Sequence, residues 1–151
     1  MGVNIQKFSL RIVKESGGRY DLENKIVRQP FDVKKILVEV IELDKRAEEV
    51  FVILTVDIKN QVTGIFEVSV GSINSSIVTA REVFKRAILQ NACSIILAHN
   101  HPSGIPEPSK DDIKITKRLI NAGEVLGIEV LDHIIIGSKD NFSSMKEKSI
   151  I

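Results

Sequence analysis

Apolar positions change their spacing several times along this chain, and each change of period marks a change of element. Over residues 8–14, Phe8, Leu10 and Ile12 alternate with polar neighbours as in a strand, and Gly17-Gly18 then reads as a turn. Residues 1–28 are therefore expected to form an N-terminal extension, a β-hairpin packed on the domain that follows. After Pro30, Asp32 can cap a helix in which Ile36, Leu37, Val40, Ile41 and Leu43 recur at helical spacing, closing near Arg46-Ala47. Residues 50–58 are a nearly continuous β-branched apolar run, Lys59-Asn60-Gln61 supplies a turn, and residues 62–70 are β-prone again. That pair predicts an antiparallel hairpin.

Thr79 and Glu82 have the spacing of a capping box, and Val83, Phe84, Ala87 and Ile88 share one face, so a helix is predicted over 80–91. Residues 94–98 are short, apolar and bounded, as in a central strand buried on both faces. The strand-helix-strand path favours parallel pairing with a right-handed crossover. The next helix is expected to start at Ser109, to turn Ile113, Thr116, Leu119 and Ile120 inward, and to stop at Gly123. Residues 128–136 return as a strand, and residues 142–151 carry no clear period. This order predicts one α/β domain over 29–151, a mixed central β-sheet flanked by helices.

Composition places the chain among ordinary globular proteins: its 151 residues are 43% apolar and 27% charged, enough for one core. Lysine and arginine total 21 against 20 acids, a formal charge of +1, so the overall charge gives no support to nucleic-acid binding. Cys93 has no partner for an intramolecular disulfide, which suits a reducing cytosol, and beside the apolar run 94–98 it reads as a small buried thiol. The N-terminus MGVNIQKFSL lacks a signal-peptide pattern, and no stretch approaches the ~18 apolar residues of a membrane span. A cytoplasmic protein with no membrane partner is expected.

The candidate chemistry lies in AHNHPSGIPEPSKDD, residues 98–112. In an extended segment His99 and His101 project to one side and Asn100 to the other, so two imidazoles can meet one ion. Pro102, Gly104, Pro106 and Pro108 stiffen and turn the chain, bringing a helix start back toward the histidines. Asp112, in the first turn of that helix, can complete the two-histidine, one-carboxylate set of a catalytic zinc site that keeps its fourth position for water. Its neighbour Asp111 is separated from it only by helix phase. Zinc would bring that water to a pKa of ~7, and a proton acceptor must then come from elsewhere in the chain. Ser109 is explained as a helix cap, Glu67 as a surface strand residue, and His133 as a strand histidine bonded to a neighbour, as a partner of the site or as a ligand.

With Ser109 and Asp112 in place, the loop resembles the H-x-H-x(7)-S-x(2)-D signature of the JAB/MPN (JAMM) metalloprotease domain. In Pro102-Ser103-Gly104 and Pro108-Ser109 it is most similar to the RadC branch. Arg81-Glu82-Val83, Ile96-Leu97-Ala98, Leu131-Asp132-His133 and Phe142-Ser143-Ser144 sit where RadC-like domains carry similar words, so the likeness runs from about residue 30 to the C-terminus. The resemblance implies a cytidine-deaminase-like α/β fold with Zn2+ on His99, His101 and Asp112. It further implies Glu67 as general base and acid, and Ser109 as an oxyanion donor worth ~3 kcal/mol. Apart from the resemblance, His133 and Asn100 are candidates for supporting the ligands, and Asn100 for shaping the loop or touching substrate. The implied activity is a zinc metallopeptidase or isopeptidase that cuts an amide bond in a peptide or protein conjugate.

RadC proteins usually carry an N-terminal helix-hairpin-helix segment, and residues 1–28 are too few to hold one, so the DNA-repair association of that branch has less support here. The rival readings are a DNA-binding module and a metal-dependent nuclease, since zinc hydroxide also attacks phosphodiesters. The letters HNH do not make the nuclease motif of that name, whose residues are spread over a longer ββα unit. An exposed sheet edge permits a homodimer.

Overall fold

All seven residues of the first strand, β1 (Val50–Val56), are buried, which requires a sheet neighbour on each side and a packed layer on each face. The computed structural model, which describes residues 2–20, 22, 25–74 and 76–151, supplies both. With β2 (Val62–Val70), β3 (Ser94–Asn100), β4 (Glu129–Ser138) and β5 (Asn141–Ser144), it forms a five-stranded sheet in the order β2-β1-β3-β4-β5. β1 runs antiparallel to β2 and β3, β5 antiparallel to β4, and only β3 and β4 are parallel. The parallel crossover runs through α3 (Lys110–Leu126), and not, as expected, through α2 (Ala80–Leu89), whose path steps from β2 over β1 to β3 so that its two strands do not pair.

Strand alternation sorts the core into two layers. Val50, Val52, Leu54, Ile96, Ala98, Ile134 and Ile136 face α1 (Pro30–Ile41), where Val33, Ile36 and Leu37 meet them. Phe51, Ile53, Ile95 and Leu97 face the other way, onto Val83, Phe84 and Ala87 of α2 and Ile115 and Leu119 of α3. Odd-numbered positions of β1 and β3 therefore belong to the α2/α3 face.

Several boundaries differ from the sequence expectation for local reasons. Gln29 is the N-cap of α1, and Asp32 closes a capping box from inside the first turn, accepting from Arg28 N at 2.9 Å and Gln29 N at 3.2 Å. That helix ends at Ile41 because Glu42 adopts a left-handed conformation (φ 49°), and a 3-10 turn, Leu43–Lys45, carries the apolar pattern onward. α3 runs past Gly123 to a left-handed cap at Gly127 (φ 69°). Gly123 serves packing instead: a Cβ there would stand 2.4 Å from the Ile128 carbonyl oxygen. Cys93 is exposed in the turn before β3.

Among the described residues the expected N-terminal hairpin is not seen. Residues 2–20 contain no strand and are all exposed, and positions 1, 21, 23 and 24 of the extension lie outside the described residues. A two-stranded hairpin is marginal by itself, and here the helices already cover both faces of the sheet, leaving Phe8 and Leu10 at 81% exposure. The extension joins the domain only near its end, where Leu22 packs on the α1 layer and Ile26 bridges to Gln61. Among the described residues no helix is long and apolar enough to cross a membrane.

Candidate metal centre

β3 delivers His99 at its carboxyl end, on the α2/α3 face and packed parallel to the Phe51 ring. The ladder continues one step further, His101 N donating to Ile136 O at 2.8 Å, so the two histidines keep strand alternation and point to the same side. Asn100 points to the other. The loop that follows is seated on β4 and β5: Asn141 Nδ2 donates to Gly104 O, Ser143 Oγ donates to Pro106 O, and a Cβ on Gly137 would meet Gly104 O at 2.4 Å. Seated in this way, the loop returns the chain to the start of α3.

There Ser109 and Asp112 form a complete capping box, Asp112 N donating to Ser109 Oγ at 3.1 Å and Ser109 N donating to Asp112 Oδ2 at 2.7 Å. Helix phase separates the two aspartates: Asp111 is exposed, and Asp112 is buried at the histidines. His99 Nε2 lies 3.3 Å from Asp112 Oδ1, and His101 Nε2 lies 3.4 Å from Asp112 Oδ2. The two Nε2 atoms are 2.9 Å apart, and one donor atom from each of the three residues falls within 4.8 Å of the others. His101 Nδ1 donates to Ile105 O at 2.7 Å, which fixes the ring with its Nε2 directed at the carboxylate. Two imidazole nitrogens and one carboxylate, converging within 4.8 Å, fit a divalent cation with room for a further ligand.

The electrostatics agree with that use. Burial acts to raise the Asp112 pKa, yet hydrogen bonds with His101, His99 and Ser109 and the proximity of His99 hold the carboxyl far below the usual carboxylate range. The hydrogen bond to Asp112 raises the His101 pKa against burial, and the Ile105 carbonyl and the charges of Asp112 and Glu49 add to it. His133 is completely buried, which pushes its imidazole well below the ordinary histidine range. Its Nε2 lies 2.8 Å from His99 Nδ1, so it backs one candidate ligand directly.

The structure does not bring Glu67 to this cluster. Opposite Val52 in the β2 register, it lies on the α1 face of the sheet and pairs with Arg46, Oε1 to Nη1 at 2.6 Å. The acid on the histidine face is Glu49. β1 and β3 pair Phe51 with His99, and one step beyond, past the Val50 N to Asn100 Oδ1 bond of 2.8 Å, the same register sets Glu49 across from His101. Ile73 N donates to Glu49 Oε2 at 3.2 Å, which orients the carboxylate. In the sequence Glu49 is one acid in a polar approach to a strand. Its only local signal is that it shares the parity of Phe51, and that signal means nothing until β1 is known to pair with β3. Asn100 holds the same approach in place, its Nδ2 donating to Arg46 O and Glu48 O.

A mixed α/β sheet with a buried His-x-His pair at a strand end and an aspartate in the first turn of the next helix defines a JAB-type domain with a candidate metal centre. The model of the RadC-like JAB domain matches residues 27–150, and the chain belongs to that family. It is 46% identical to a protein of Moorella thermoacetica and 49% identical to one of Alkaliphilus oremlandii, both named only UPF0758 protein. Each alignment covers 99% of this chain and 66% of the relative, so the chain spans just under two-thirds of those relatives' length.

Proposed function

We propose that this chain is a zinc-dependent metallohydrolase that cuts an amide bond in a peptide or protein conjugate. The observation that carries the reading is the convergence of His99, His101 and Asp112 beside a carboxylate, Glu49, that is not itself one of the three. Zinc suits two imidazoles and one carboxylate, and when bound it supplies a Lewis acid that brings water within reach of deprotonation near neutral pH.

Residues of the chain do the rest. Glu49, oriented by Ile73 N, takes the proton from the attacking water and returns it to the departing amine, the role that the family resemblance alone would assign to Glu67. Ser109 spends its oxygen as an acceptor for Asp112 N, and its hydroxyl proton stays available to the oxyanion from an exposed position. His101 and Asp112 would hold the cation from the loop and the helix, and buried His99 from the sheet.

Metal analysis and turnover of paired variants test this reading. Protein purified without chelator is expected to carry one zinc per chain, and His101→Ala to lose it. Glu49→Gln is expected to keep zinc and to lose about 10²–10⁴-fold in kcat on isopeptide-linked and linear peptide substrates. Glu67→Gln is expected to stay within a few-fold of the native chain. Absence of stoichiometric zinc would sink the proposal, and DNA cleavage in place of peptide cleavage would replace it with a nuclease.

A further inference from the structure

Charge is unevenly divided along the chain in a way that its total of +1 conceals. Residues 1–35 carry eight lysines and arginines against four acids, and residues 36–151 carry thirteen against sixteen. The excess begins in the arm, residues 2–20, which is exposed throughout and contains no helix or strand. Val3, Ile5, Phe8, Leu10 and Val13 are each at least 80% exposed there, an apolar surface that the domain does not cover.

The order of residues in the arm gives that surface a shape. Strand alternation over 3–14 sets Val3, Ile5 and Val13 on the same face as Lys7, Ser9 and Arg11. Helical spacing separates them: Lys7, Arg11 and Lys14 stand at i, i+4 and i+7 and fill one narrow stripe. The six apolar residues from Val3 to Val13 occupy the remaining arc, interrupted only by Gln6 and Ser9. A helix this short, with β-branched Val3, Ile5, Ile12 and Val13, does not hold in water by itself, which accords with the open backbone of the arm. At a lipid–water boundary the balance changes, because a helix lying there buries its apolar arc and keeps its cations on the polar side. Such a segment needs no run of ~18 apolar residues.

The domain offers a second contact beside the place where the arm emerges. Leu22 packs on the α1 layer and shares with Arg28 and Lys35 the lining of a cavity of about 390 Å³. Lys35 and Lys34 hold their Nζ atoms 5.2 and 5.3 Å from the centre of the Phe31 ring, which is 44% exposed. Among the described residues, Arg28, Lys34 and Lys35 form no ion pair with an acid. An exposed ring flanked by unpaired cations suits a headgroup layer, where the ring meets the acyl boundary and the ammonium groups meet phosphate.

We propose that residues 3–14 fold as an amphipathic helix on an anionic lipid surface, with Lys7, Arg11 and Lys14 toward the headgroups, and that Arg28, Phe31, Lys34 and Lys35 contact the same surface. The apolar arc favours lipid over a nucleic acid, which would take the cations and leave five apolar side chains in water. The mixed faces of the strand alternative argue against edge pairing with a second copy. The proposal is independent of the metal centre.

The test mixes the full chain with vesicles of phosphatidylcholine, alone or with phosphatidylglycerol. Cosedimentation is expected only with the anionic vesicles, with release at high salt, and circular dichroism should gain about twelve residues of helix on binding. Replacing Lys7, Arg11 and Lys14 by Gln should weaken binding roughly 100-fold, at about fivefold per cation. Lys7→Phe with Phe8→Lys, combined with Arg11→Ile and Ile12→Arg, keeps composition and charge but breaks the stripe, and should weaken binding at least about 10-fold. Thermal melts of both variants should match the native chain, since the arm lies outside the fold. Failure to bind anionic vesicles, binding without a gain of helix, or native binding by the exchanged arm would each overturn the proposal. A single-stranded oligonucleotide retained where vesicles are not would give the surface to nucleic acid, and a dimer that forms without lipid and needs the arm would give it to a second copy.

Discussion

Asn100 illustrates how much one side chain carries at this site. The residue between the two histidines faces away from them, is 2% exposed, and uses both ends of its amide: Oδ1 accepts from Val50 N at 2.8 Å, and Nδ2 donates to Glu48 O at 3.0 Å and Arg46 O at 3.2 Å. It therefore staples to β3 the stretch of backbone on which Glu49 rides. Asn100→Leu leaves a buried N–H without its acceptor and two carbonyls without their donor, an expected loss of about 2–3 kcal/mol in urea denaturation. Because Glu49 sits inside the stapled stretch, kcat should fall further than zinc content in this variant. At the same scale the capping box at Ser109 and Asp112 shows one carboxylate serving two purposes, since Oδ2 holds the helix start while both oxygens face the histidines.

At the scale of elements, the site depends on how closely a loop sits on a strand. Loop residues 102–109 rest on β4 at Gly137, where an added Cβ would meet Gly104 O at 2.4 Å, the Gly104 carbonyl carbon at 2.9 Å and Pro106 Cδ at 3.0 Å. Two of these are backbone atoms of the loop that carries His101 and leads to Asp112, so the loop must lift. Gly137→Ala is expected to cost about 1–3 kcal/mol and to weaken zinc binding, read by calorimetric titration. Gly123→Ala applies the same clash against Ile128 O, at the far end of α3. It should lower stability by a similar amount, since a backbone contact of 2.4 Å outweighs the ~1 kcal/mol that alanine gains over glycine in a helix, but it should leave metal affinity unchanged.

For the whole molecule, the N-terminal arm and the candidate metal centre are expected to contribute unequally to stability. Residues 2–20 are exposed throughout, so deleting residues 1–20 is expected to change unfolding free energy by less than about 0.5 kcal/mol. The cut stops short of Leu22, which packs on the α1 layer. A cation at the candidate centre, by contrast, would tie the end of β3, the loop and the first turn of α3 to one point. A cation that binds only the folded chain stabilises it by mass action, about 2.7 kcal/mol at a hundredfold excess over Kd. Chelation should therefore lower Tm in the native chain and leave the Tm of His101→Ala unchanged.

Elements whose information is local were legible in the chain by itself. Thr79 with Glu82 and Ser109 with Asp112 mark helix starts through bonds that close within three residues, and the apolar run 50–56 announces a strand buried on both faces. His99, His101 and Asp112 were legible for the same reason, because one strand end, one stiff loop and one helix turn set their spacing. Glu49, Thr116 and the place of Glu67 were not. Each depends on which strands pair and in what register: β1 beside β3 sets Glu49 across from His101, β4 beside β3 brings His133 between His99 and Thr116, and strand parity sends Glu67 to the opposite face. Sequence alone thus determined which side chains could hold a cation, through contacts that span a few residues. Only the tertiary structure decided which acid and which hydroxyl stand beside them, because a shift of one residue in strand register turns every side chain to the other face.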